Sequence, residues 1–126
     1  MTTTTTRLTR AAAVAGIAAA AIVALPGAAF ANYGWGGTLS PGSTACVGQA
    51  AGYQVRGEGN SNGPIKYTLY RDGVLVTTSG GVTAWAAERR TSLGNFPGPG
   101  FYTVCAKNNQ GAGILTNIRI LVDGDF

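Results

Sequence analysis

The chain has 126 residues, with nine Lys and Arg against five Asp and Glu, two Cys, 20 Gly and no His. The absence of His excludes His-based acid–base chemistry and His-containing zinc sites. The few cations are scattered rather than gathered into the basic stripe that nucleic-acid binding uses, so no nucleic-acid partner is expected.

Arg7 and Arg10 give a positive start, residues 11–25 form an apolar run, and Pro26 and Gly27 end it before Ala28, Ala29, Phe30 and Ala31. With Ala29 and Ala31 as the A-x-A pair, this is the segment order of a cleavable signal peptide. Residues 1–31 are therefore expected to be a leader, and residues 32–126 a secreted, extracellular domain. The apolar run is short against the ~20 residues a spanning helix needs, so no stable membrane insertion is expected after cleavage. Loss of Arg7 and Arg10 with the leader leaves seven cations against five carboxylates, a net +2.

The mature length suits one domain, burying roughly 65% of the surface its unfolded form exposes. A core of that size gains from a staple, and Cys46 and Cys105 are expected to form a disulfide bond in an oxidising compartment. Closing a loop of about 60 residues would contribute roughly 4 kcal/mol on the chain-entropy argument.

Turn residues punctuate the mature chain, and between them apolar residues recur with the period of two of a strand with one buried face. Residues 37–40 and 44–49, split by Pro41-Gly42, read as an amino-terminal pair of strands. In residues 52–59, Tyr53 and Val55 share one face and Gln54, Arg56 and Glu58 the other. In residues 65–71, Ile65, Tyr67 and Leu69 alternate with Lys66, Thr68 and Tyr70. Asp72-Gly73 then predicts a type I′ hairpin turn into residues 74–78, since both central positions of that turn need positive φ. Residues 82–87, 101–107 and 114–122 follow, with Ile114, Ile118, Ile120 and Val122 on one parity. About seven strands at this spacing predict an all-β antiparallel sandwich.

Residues 100–111, Gly-Phe-Tyr-Thr-Val-Cys-Ala-Lys-Asn-Asn-Gln-Gly, resemble the penultimate strand of immunoglobulin-like domains, whose pattern runs G-x-Y-x-C-x-A-x-N-x-x-G. Gly100, Tyr102, Ala106, Asn108 and Gly111 take matching positions. The pattern's cysteine position is held by Val104, and Cys105 comes one residue later. The resemblance implies an immunoglobulin-like β-sandwich of a small bacterial-type secreted protein. The offset leaves two placements for the bridge: on the outer face of its sheet, or inside through a bulge near Phe101.

No catalytic, metal or cofactor constellation stands out, and the chain is expected not to be an enzyme. Glu58, Asp72, Glu88, Asp123 and Asp125 are dispersed, and Asp123-Gly124-Asp125 falls short of the six to eight oxygens of a calcium site. The function expected is a non-catalytic binding or cell-surface-associated module for an extracellular protein or polysaccharide. A secreted inhibitor of an extracellular enzyme such as a protease, presenting the Gly/Pro loop of residues 95–100, is the alternative. Tyr33, Trp35 and Trp85 are the candidate binding surface, with Tyr33 and Trp35 expected to bind in their Gly-rich segment and Trp85 to serve mainly stability. Intact mass spectrometry of the secreted protein should give a species beginning at Asn32 and 2 Da lighter than its reduced form; free thiols or a retained leader would contradict this.

Overall fold

The computed structural model of the chain describes residues 33–126, so the expected leader lies outside the described residues. Six strands form one antiparallel sheet curled into a half-barrel: β1 (Gly34–Leu39), β2 (Thr44–Ala51), β3 (Gln54–Arg71), β4 (Val74–Arg90), β5 (Gly100–Lys107) and β6 (Ile114–Val122). Short 3₁₀ turns at Thr91–Leu93 and Asp123–Asp125 complete it.

The eight segments predicted from sequence, expected to make about seven strands, resolve into six, because two pairs of them are continuous. Asn62-Gly63-Pro64 and Gly80-Gly81, which have the composition of turns, instead lie inside β3 and β4 at two neighbouring breaks in the hairpin's register, the first between the Asn60 and Ile65 pairings and the second between the Lys66 and Thr68 pairings, with Gly81 paired to Lys66. Side chains take up the backbone groups released there. The Asn62 Oδ1 atom accepts from Leu115 N at 3.0 Å, the Ser61 hydroxyl donates to Gly63 O at 2.6 Å, and Tyr67 N donates to the Ser79 hydroxyl at 2.9 Å. Asp72-Gly73 does turn the chain, with φ of 48° and 82°, the two positive values a type I′ turn requires.

The irregular hairpin is common to two wings. The first half of β3 pairs with β6 (Val55–Ser61), which carries β1; the second half pairs with β5 (Lys66–Arg71), which carries β2. Val55, Ile65, Leu69, Val104, Ile118 and Ile120 line the buried face between the wings. Tyr67 is at its centre. A Cβ on Gly59 would lie 2.7 Å from the Tyr67 Cδ1 atom, so only glycine admits the ring. The ring also stacks on Trp85, with centroids 5.5 Å apart and an interplanar angle of 9°. Its hydroxyl lies 2.7 Å from the Thr116 hydroxyl, which itself donates to Asn60 O, so the Tyr67 hydroxyl is the donor.

The disulfide joins Cys46 and Cys105, opposed residues of β2 and β5 with Cα atoms 4.1 Å apart. Both cysteines are half-buried while their neighbours Val47 and Val104 are buried, so the bridge lies on the outer face, the first of the two placements the one-residue offset allowed. Two side chains of residues 100–111 have local structural roles. The Tyr102 hydroxyl donates to Gly98 O at 2.6 Å, and buried Asn108 donates to Leu39 O and Ala112 O while accepting from Gln110 N.

Because the bridge is outside the core, Cys46→Ser with Cys105→Ser opens no cavity and acts chiefly by freeing the unfolded chain. The double variant should lose about 2 to 5 kcal/mol with its sheet content retained. Denaturant titration followed by far-UV circular dichroism checks this; an unmoved midpoint would contradict it.

Candidate functional site

The tryptophans named from sequence occupy one row of the first wing. Trp35 pairs with Ile118, Ile118 with Gly59, and Gly59 with Trp85. Three strand spacings separate the two rings, roughly 14 Å. Both point to the inner face: Trp35 lies along its own strand over Gly37, Trp85 covers Gly57 and stacks on Tyr67, and both pack against the core. Trp35 is thus more covered than its Gly-rich context led us to expect. Tyr33 is 49% exposed. The three do not form one continuous platform.

The outer face of this wing carries a charge ladder. Arg119 Nε donates to Glu58 Oε1 at 2.6 Å, Arg56 Nη1 to Glu88 Oε1 at 2.9 Å, and Arg90 Nε to Glu88 Oε2 at 2.5 Å. Arg56 Nε is also 2.5 Å from Glu58 Oε2, an ion pair by distance without hydrogen-bond alignment. A groove of about 430 Å³ runs beside Arg56, Glu58, Asn60, Ala84 and Ala86. Its charges already neutralise one another.

The second wing differs. Cross-strand pairing places Thr44, Lys107, Lys66 and Gly81 in one row, with the two lysines directly opposite one another and exposed. A like-charge pair in that geometry costs a few tenths of a kcal/mol to about 1. Beside them a groove of about 290 Å³ is lined by Pro64, Lys66, Ser79, Gly80, Gly81, Asn109 and Gln110. The next row holds Cys46, Cys105, Thr68 and Thr78, with the two threonine hydroxyls 3.0 Å apart. Farther along, the Phe101 ring lies over Gly48. Reading the cations as scattered missed this pair. Each lysine's outward parity was visible in the sequence, but their opposition depends on a register between strands about 40 residues apart.

The carboxylates have structural partners. Asp123 Oδ1 accepts from Gly52 N, Tyr53 N and Gln54 N at 3.0, 2.9 and 3.3 Å, and Asp72 Oδ1 accepts from Phe101 N at 2.9 Å. Asp125 accepts from Val122 N at 3.0 Å. The Asp-Gly-Asp tail is therefore spent on backbone donors, and among the described residues no group of three or more His, Cys, Asp or Glu could hold a metal.

No protein-family model matches the chain, and no curated protein does. Among solved structures, the Yersinia pseudotuberculosis-derived mitogen is similar, at 13% identity and a TM-score of 0.55 over 74% of this chain and 86% of that one. The likeness is one of fold alone. A de novo designed double-stranded β-helix aligns at 16% identity and a TM-score of 0.45, over 71% of this chain and all of the design.

Partial burial pushes the Asp123 carboxyl up, but bonds from Tyr53, Gly52 and Gln54 outweigh it and hold it below its ordinary value. Glu58 is likewise raised by burial and lowered further by Arg119 and Arg56. Carboxyls depressed in the folded state stabilise it above the unfolded carboxylate range, about pH 4, and that stability is lost as pH falls through the folded values. Thermal midpoints should therefore fall steeply below about pH 4. Asp123→Asn should lie below the native protein at pH 7, with the gap closing by pH 2.5; a gap independent of pH would contradict the account.

Proposed function

We propose that the chain is a small secreted, non-catalytic binding module that associates with an extracellular or cell-surface partner. The observation that carries this reading is the division of labour among the charged groups. The carboxylates accept bonds from arginines or backbone N–H groups that hold strands and turns together, whereas the lysine row on the second wing stands open beside a groove. An acid or base in a reaction must be able to give or take its proton, and a carboxylate committed to structure serves that role poorly. The outer-face disulfide suits an oxidising, extracellular setting.

The immunoglobulin-like component of the proposal is confined to β5. The Tyr102-to-Gly98 bond, four residues back, is the kind such domains make at the start of their penultimate strand. The inhibitor reading has one supporting observation, a fastened loop before β5: Arg71 donates to Pro99 O at 2.9 Å, and Phe96 stacks on Tyr102. Two of that loop's carbonyls are already occupied by its own chain, which leaves less backbone for a protease to engage.

Incubating the purified secreted protein with isolated cell envelope and with culture supernatant separates the two. Retention on envelope polysaccharide is expected. Stoichiometric recovery of an extracellular hydrolase with loss of its activity would overturn the binding-module reading in favour of an inhibitor.

A further inference from the structure

We infer that Lys66 and Lys107, with the groove beside them, bind an acidic sugar residue, one bearing a carboxylate or phosphate, of an extracellular glycan. This rests on the reading of the chain as a binding module and names its ligand class. Among the described residues, Arg56, Arg90 and Arg119 are ion-paired, and Arg71 and Arg89 donate to backbone carbonyls. Lys66 and Lys107 alone have neither kind of partner there. They are directly opposed on adjacent strands, and each raises the other's affinity for an anion placed between them.

The groove supplies the neutral half of the recognition. The exposed side chains of Asn109 and Gln110 each offer a donor and an acceptor, the pairing that sugar hydroxyls need. Their loop is held in place, because Gln110 N donates to Asn108 Oδ1 while the buried Asn108 amide fixes Leu39 O and Ala112 O. A site prepared in this way loses less conformational freedom on binding. Gly80 and Gly81 leave the lip of the groove open, and its volume of about 290 Å³ is at the small end for a ligand site, suited to a single sugar residue. Two lysines without counter-ions are few against the six to ten phosphate contacts that give a DNA-binding protein its affinity, which favours a glycan over nucleic acid.

Isothermal titration of the full secreted protein tests this against a uronate oligosaccharide, a phosphodiester-linked teichoic polymer, neutral dextran and duplex DNA. The native protein should bind one or both acidic glycans, and the arm that binds identifies carboxylate or phosphate. Lys66→Gln with Lys107→Gln should raise Kd at least tenfold and leave the thermal midpoint unchanged or higher. Arg89→Gln with Arg119→Gln, which removes the same charge elsewhere, should change Kd less than threefold. Equal losses in both double variants, unchanged affinity in the lysine pair, or tighter binding to DNA would overturn the assignment. Binding to dextran as strong as to the acidic glycans would overturn it too, while leaving the binding-module reading standing. Failure on every glycan and on cell envelope would sink both.

Discussion

Tyr67 lies against Gly59, eight residues earlier in its own strand, and the mutual angle of the two wings follows from that contact. The ring crosses from the β5 side of β3 to the β6 side, stacks on Trp85, and bonds to Thr116 on β6. One side chain therefore touches β3, β4 and β6. A long hairpin has no intrinsic reason to bend sharply in its middle. Here the bend is over-determined: the glycines and Pro64 weaken regular pairing, polar side chains satisfy the released backbone groups, and the buried ring keeps the halves together.

Two outer faces of different character result. On the first wing, Arg and Glu alternate across β6, β3 and β4, and each exposed pair is worth little by itself. Their joint effect is to leave that face close to neutral. On the second wing the disulfide and the Thr68–Thr78 contact share one row, and the lysines occupy the next, beside the groove. The same hairpin that builds the core brings Gly80 and Gly81 next to Lys66, so the irregularity needed for the bend also opens the candidate site.

Strand character and the Asp72-Gly73 turn could be read from the sequence because both depend on neighbouring residues alone. The disulfide could be paired because only two cysteines exist, yet its face required knowing that Val104 and Val47 point inward. The merging of four predicted strands into β3 and β4 was hidden, since Asn62-Gly63-Pro64 and Gly80-Gly81 have the composition of turns and become neighbouring breaks in register only because the strands on either side of them stay paired. Trp35 and Trp85 illustrate the same limit. A Gly-rich context suggested an uncovered Trp35, but its pairing with Ile118 turns the ring toward the core. The opposition of Lys66 and Lys107 is likewise a property of register, which strand alternation alone leaves open.

The central claim is that Tyr67 on Gly59 sets the fold, and a double-mutant cycle measures it most directly. Gly59→Ala and Tyr67→Leu would be made singly and together, with unfolding free energies from denaturant titration. In the native background the added methyl meets the ring and should cost about 1 to 3 kcal/mol. With the ring removed, the ordinary preference of a strand for alanine over glycine should return, and the same substitution should become neutral or stabilising. Equal costs for Gly59→Ala in both backgrounds would contradict the account.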